Sequence, residues 1–373
     1  MRNIWLEILA LLILLGGLNL APWSDAVGEE TKLIKPMYTS HAPCRINNDA
    51  DFVTSTCVNH TSGDGSQGNP YRIEEWEING NGYGYALYIG NTTKFILVQN
   101  NYIHSTRGVG SQPYYLAGII FYHVTNGIIE NNNMTDNAWD GILIRSSSYN
   151  RIENNHLYNN PRDGVYISSY LGPYGYNDIL NNDILNNHEN GIYSEGSRND
   201  NFTHNDIKYN TLHGIFIEDN VNDNIKNNNI SNNSDFGIRI FTSNNNIIVG
   251  NNISYNHNKG IDIMYSSTSN YIHHNNFINN YDNPSQAYDQ VGGNVWNDIS
   301  IGNYWSDYHL SSQGCWDNNT NGICDSPYLI AGGKNAQDLY PITTPVVHEL
   351  NAGIIIIFLS IILCTIVALR YRI

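Results

Sequence analysis

Basic residues are scarce in this chain. Eighteen Lys and Arg stand against 34 Asp and Glu, a formal charge of −16. So acidic a surface is a poor match for a phosphate backbone and argues against nucleic acid as a partner. There are five cysteines and no CxxC pair, so zinc-ribbon and thioredoxin-type motifs are excluded. The four methionines form no cluster of the kind that soft-metal chemistry uses. Apolar runs long enough to cross a bilayer are missing except at the two ends. Inside the chain no segment has the composition of a helix. What is abundant is asparagine, glycine and tyrosine, with 27 tyrosines and 12% aromatics.

The asparagines and glycines are periodic. Glycines fall at Gly118, Gly141, Gly164, Gly191, Gly214, Gly237 and Gly260, at steps of 23, 23, 27, 23, 23 and 23 residues. Seven residues before each glycine after the first is an apolar anchor: Met134, Leu157, Ile184, Ile207, Ile230 and Ile253, with Phe277 continuing the series. Two residues before each anchor, and three after it, the residue is Asn. Past the glycine comes a two-residue alternation such as Ile215-Phe216-Ile217, which places both outer residues on one face of a strand. Five residues before the anchor is a second apolar position, Ile129 to Ile272. A fixed period of this length means stacked repeats. A 23-residue unit of short strands predicts one coil of a parallel β-solenoid, with coils about 4.8 Å apart. The repeated Asn predicts a buried amide ladder, and the glycines predict left-handed turns. Right-handed crossovers are the default, and about eight coils are expected.

The ends read differently. Residues 1–26 resemble a secretory signal, with Arg2, an apolar stretch from Ile8 to Leu20 and a small-x-small site at Ser24-Asp25-Ala26; an uncleaved anchor is the alternative. Residues 352–369 are apolar and followed by Arg370 and Arg372, which predicts one transmembrane helix and a cytoplasmic tail at 370–373. The expected order is signal 1–26, N-terminal cap 27–82, β-helix 83–300, C-terminal cap 301–342, linker 343–351, membrane helix and tail. The repeats would then lie at the cell surface or in the periplasm. Cys44 with Cys57, and Cys315 with Cys324, are the simplest disulfides in such a compartment, one per cap; a Cys/His metal site is the rival. Eight Asn-x-Ser/Thr sequons make the chain a candidate glycoprotein.

Three segments carry a resemblance. The opening Gly63-Asp64-Gly65-Ser66-Gln67-Gly68-Asn69-Pro70-Tyr71 run, the Asn-rich coils, and the closing Gly302-Asn303-Tyr304-Trp305-Ser306-Asp307-Tyr308 … Asp317–Tyr328 … Asp338-Leu339-Tyr340-Pro341-Ile342 resemble the NosD-like proteins. The resemblance spans roughly residues 63–341. It implies a right-handed parallel β-helix, kinship with β-helix carbohydrate-binding proteins and sugar hydrolases, and a copper role for some members. Copper would need imidazoles, and His156, His188, His204, His257, His273 and His274 are the candidates.

Two constellations could carry chemistry. Asp317, Asn319, Asn321, Gly322, Ile323 and Asp325 match the first nine positions of an EF-hand-type calcium loop, although Tyr328 stands where its last carboxylate belongs. The second emerges on stacking. Asp140, Asp163, Asn190 and His213 precede successive glycines, flanked by Arg162 and His188. Leu143, Tyr166, Tyr193, Phe216, Arg239 and Asp262 follow, with Arg145, Ser168, Glu195 and Glu218 two residues further. As a solvent-facing strip, it would pair carboxylates about 5 Å apart, suited to glycoside hydrolysis, lyase or epimerase chemistry through Asp140, Asp163 and His213. Arg145, Arg162, Tyr166, His188, Tyr193, Glu195, Phe216 and Glu218 would contact a glycan. Turn chemistry and plain solvated surface are the alternatives. The leading expectation is a membrane-anchored surface module that binds glycans or neighbouring proteins.

Overall fold

A computed structural model describes residues 38–347 apart from 62, 109–114, 170–171, 282–284 and 334. The signal segment at 1–26, the linker's end and the apolar run at 352–369 lie outside the described residues. Among the described residues no helix is long and apolar enough to cross a membrane.

The chain winds into a right-handed parallel β-solenoid of about nine turns. Three sheets run its length. The first has eleven strands, from Thr39–His41 to Tyr304–Trp305, and includes the strands that carry the apolar anchors. The second has eleven, from Cys44–Ile46 to Ala331–Gly332, and carries the residues past each glycine. The third has nine, from Tyr71–Glu74 to Tyr271–His273. There are more turns than the eight expected because segments read as caps supply strands to the stack: Thr39–His41, Tyr71–Glu74 and Trp76–Asn81 at one end, Tyr304–Trp305 at the other.

The sequence phase is the register. Met134, Leu157, Ile184, Ile207, Ile230, Ile253 and Phe277 are paired one upon the next. So are Ile129 through Ile272 in the third sheet. All are fully buried, and each contributes about 1.5–3 kcal/mol of apolar transfer. Asparagine makes most of the left-handed corners. Asn131, Asn154, Asn181 and Asn227 lead into the anchor strands at φ 53–56°, and Asn159, Asn186, Asn232 and Asn279 leave them at φ 50–55°. The repeat glycines have no positive φ, which corrects the turn reading. They are needed for space: a Cβ on Gly191 would lie 2.3 Å from Ile207 Cγ2 and 2.7 Å from the Gly214 carbonyl oxygen.

Two unbroken amide ladders run inside. In the first, the Nδ2 groups of Asn132, Asn155, Asn182, Asn205, Asn228, Asn251 and Asn275 each donate to Oδ1 of the next Asn at 2.9–3.0 Å, ending on Asn303. Each Oδ1 also accepts the backbone N–H of the preceding Asn, as at Asn182 and Asn205. In the second, Asn137 through Asn280 do the same and finish on Gln286. Buried polar groups cost little when so satisfied.

The closing motif terminates these ladders. Asp338 accepts Asn303 N–H at 2.7 Å and Trp305 Nε1–H at 3.0 Å, while Gln286 donates to Asp307 at 2.6 Å. Trp305 stacks between Phe277 and Tyr328, with centroids 4.1 and 4.0 Å away. At the other end, a short helix Asp51–Thr54 buries Phe52 against Tyr71. Both expected disulfides form, Cys44–Cys57 and Cys315–Cys324.

Candidate functional site

On the second sheet the position two past the glycine forms one continuous column: Leu143, Tyr166, Tyr193, Phe216, Arg239 and Asp262. Coils stacked at strand spacing force like rings onto like rings. Tyr166 lies on Tyr193 with centroids 5.0 Å apart and planes within 2°, and Tyr193 lies on Phe216 at 4.9 Å. The open faces of this pile are covered by guanidinium groups, Arg162 5.4 Å from the Tyr166 ring and Arg239 5.6 Å from the Phe216 ring. The hydroxyls are occupied too: Tyr166 donates to Glu195 at 2.7 Å and Tyr193 to Glu218 at 2.6 Å. Burial, reinforced by those carboxylates, raises both phenols above their ordinary range. The aromatic run therefore consumes its own ring faces.

The carboxylates are not where a solvent-facing strip needs them. Asp140 is 1% exposed, Asp163 0% and His213 5%, so these three point inward. Leu143, Ser168 and Asp262 are buried as well. The cause is the coil path. The residue before each glycine faces in and extends a third ladder, in which Asp163 Oδ1 accepts both the N–H and the Nδ2–H of Asn190 at 2.9 and 2.8 Å. Asp163 N–H donates to Asp140 Oδ1 at 3.3 Å. Burial and the neighbouring Asp163 charge hold Asp140 well above the carboxylate range; burial pushes Asp163 up to about 6, against the Asn190 bonds and Arg162. Burial and the Arg239 charge push His213 down to about 3, which leaves it a neutral imidazole packed between Phe216 and Phe236.

A cleft opens beside this face. It has a volume of about 490 Å³ and is lined by Arg107, Leu116, Asp136, Asn159, Pro161 and His188, among others. Arg107, Asp136 and His188 are exposed. Asn159 ties the wall together, donating to Asp136 and lying 2.9 Å from His188 Nε2. Trp139, 38% exposed, sits at the adjoining corner with Arg162 5.2 Å from its ring. Arg162 also reaches Glu189 at 3.5 Å. Arg145 lies 4.0 Å over the Tyr115 ring, and Tyr114 is outside the described residues. Of this set, His188, Arg162 and Arg145 were legible in the sequence. Arg107, Asp136, Trp139 and Asn159 were not. Asp136 and Asn159 share one corner position on successive coils, and stacking that column would have found them.

The remaining expected sites stand apart. In the calcium-like loop, Asp317 Oδ1 and Asn319 Oδ1 both accept Asn321 N–H, at 3.0 and 3.1 Å. Asp317 Oδ2 accepts Gly322 N–H at 2.9 Å, Asn321 Oδ1 accepts Ile323 N–H at 3.0 Å, and Asp325 accepts Asn318 N–H at 3.0 Å. Of the histidines, His156 pairs with Asp183 at 4.0 Å, and His188, His204 and His257 lie at other corners. His273 and His274 come together with Asp298.

The comparisons agree with this architecture. Residues 56–220 match the family described as "Right handed beta helix region", and the chain is a right-handed β-helix protein. Residues 170–310 match "Periplasmic copper-binding protein (NosD)", and within its class the chain is NosD-like. No curated protein matches it. Among solved structures it is similar to the periplasmic alginate epimerase AlgG, at 22% identity over 54% of this chain and 49% of that one, with a TM-score of 0.46. It is also similar to the enzymatically active domain of Bacteriophage CBA120 tailspike protein 2, at 15% identity over 72% and 42%, with a TM-score of 0.49. For pectate lyase Pel9A the identity is 13% over 74% and 85%, with a TM-score of 0.43. The chain spans about half the length of the epimerase. These likenesses are of fold.

Proposed function

We propose that this protein is an extracytoplasmic β-helix that binds an anionic glycan in the cleft between Arg107 and His188, held at the membrane by residues 352–369. The observation that carries the reading is the cleft's lining. Its volume of about 490 Å³ is in the range of small-ligand pockets. Arg107 supplies a planar fork for a uronate carboxylate, Asn159, Asp136 and His188 supply directional partners for hydroxyls, and Leu116 and Pro161 supply an apolar wall for a sugar's C–H face. Trp139, at the rim, is an exposed ring for a neighbouring sugar unit. Two disulfides support an oxidising compartment. Turnover through Asp140, Asp163 and His213 would require these buried groups to reach solvent. In this reading the Asp317–Asp325 loop takes calcium and fixes the closing cap, supported by oxygen ligands at alternate positions.

The test is binding of the purified full chain to an array of neutral and uronate-containing oligosaccharides, repeated with Arg107→Ala and Trp139→Ala. Uronate binding that falls at least about tenfold in Arg107→Ala supports the proposal, as expected for a lost charge-assisted pair. Binding confined to neutral glycans, or unchanged by both substitutions, refutes it.

A further inference from the structure

Neighbouring residues on a strand point to opposite faces. His273 and His274 break that rule. His274 is held at φ 57°, in the left-handed corner after the last strand of the third sheet, Tyr271–His273. The corner turns its side chain to the same side as His273. The ring centroids are 5.0 Å apart at 74°, and the two Nδ1 atoms are 2.7 Å apart. One coil earlier the strand partner of His273 is Val249, so the corner below His274 is Gly250, which has no side chain to occupy the space.

The third group comes from the segment that covers the end of this sheet. Asp298 begins a tight turn in which its Oδ1 accepts Ser300 N–H at 2.8 Å and Ile301 N–H at 2.7 Å. Those two bonds fix the carboxylate and leave Oδ2 directed at the imidazoles, 3.9 Å from His274 Nε2. One ligand atom from each of the three residues lies within 4.8 Å of the other two, and among the described residues no other three His, Cys, Asp or Glu do this.

We propose that His273, His274 and Asp298 bind a divalent transition-metal ion of the zinc or copper(II) class. Two imidazoles and one carboxylate suit such ions, whereas calcium and magnesium prefer oxygen alone. In a tetrahedral shell, ligand atoms about 2.0–2.2 Å from the ion lie roughly 3.3–3.6 Å apart, so the three groups need close by no more than about 1.5 Å. The backbone amides on Asp298 Oδ1 are the outer-shell support that an oriented ligand needs. All three side chains are half-exposed, which gives an ion an entry path and leaves its fourth position to water. The ion would add a side-chain link between the last strand of the third sheet and the 294–303 segment, which backbone bonds already join at Tyr271–Val295 and from His274 N–H to the Gly302 carbonyl.

The experiment is calorimetric titration of the chelator-stripped full chain with zinc chloride and, separately, with copper(II) chloride. His274→Gln, Asp298→Asn and, as a control at an exposed corner, His257→Gln are titrated in parallel. Copper(II) electron paramagnetic resonance of the wild-type chain reads the ligand atoms directly. One equivalent bound, nitrogen couplings in the copper spectrum, and at least about tenfold weaker binding in His274→Gln and Asp298→Asn but not His257→Gln are expected. Absence of binding by either metal, a copper spectrum without nitrogen couplings, or unchanged affinity in both site variants overturns the proposal. Glycan binding through Arg107 is unaffected by either result.

Discussion

Replacing Asp200 with Asn tests the ladder reasoning most sharply. The column Asn150, Asn177, Asp200, Asp223, Asn246, Asn270, Asn294 is an amide ladder interrupted by two carboxylates. Asn177 donates to Asp200 Oδ1 at 3.2 Å, and Asn246 donates to Asn270 at 2.9 Å. Between them, Asp200 Oδ2 is buried with no hydrogen-bond partner, because Asp223 presents acceptors where an amide would be met. Burial pushes Asp200 up to about 7, with its bonds from Asn177 opposing; burial and the Asp200 charge hold Asp223 well above the carboxylate range. The native state thus keeps a proton that the unfolded chain releases near pH 4. This contribution to stability is fully present below pH 4 and is lost as pH rises through about 7. A rise of about three pH units at 1.36 kcal/mol each puts the loss on the order of 4 kcal/mol. Asp200→Asn removes the ionisation and restores a donor toward Asp223 Oδ1. Urea unfolding at pH 4, 6 and 8 should show variant and wild type similar at pH 4, and the variant more stable by a few kcal/mol at pH 8. Asp163, Asp262 and Asp338, each raised to about 6, act in the same direction. His213, lowered to about 3, opposes them by losing stability as pH falls below 6.5. These terms cancel in the difference between variant and wild type. A gap that does not change with pH, or a variant less stable at pH 8, would refute the argument.

Other outcomes follow from the same geometry. Gly191→Ala places a methyl against Ile207 and the Gly214 carbonyl, and should destabilise by about 1–3 kcal/mol in urea melts. Asn205→Ala removes donors to Asn228 and the Ile179 carbonyl and strands two donors of Asn182, so a loss of at least about 3 kcal/mol is expected by the same assay. Millimolar calcium should raise the melting temperature of the full chain, and Asp317→Ala should abolish that rise.

The fold was largely legible because a solenoid repeats its own physics. Each inward residue meets its own counterpart one coil away, so Ile184 and Ile207 disclosed their register by sequence phase alone. The glycine at 191 was located correctly but given the wrong cause, since phase reveals position and not φ. The site was less legible for the same reason. Asp140 and Asp163 stacked as expected, but period cannot say whether a residue before glycine faces in or out; the coil path turns them inward. Arg107 ends a strand, Tyr102–Arg107, whose register with the coil before it is shifted, and Asp298 belongs to an irregular segment, so no period predicts the neighbours of either.

The amide ladders also give the solenoid an electrical direction. In the Asn132–Asn303 and Asn137–Gln286 ladders each link donates toward the C-terminal end, so their side-chain dipoles add along the axis, as peptide dipoles do in a helix. The first ladder begins with an acceptor, Asn101 Oδ1, met by Trp76 N–H, and ends with donors met by the carboxylate of Asp338; the second ends through Gln286 on Asp307. Anions thus stand at the positive pole and an amide at the negative one. The two ends cannot be exchanged, and a longer protein of this kind must gain its coils in the middle, leaving the terminal carboxylates in place.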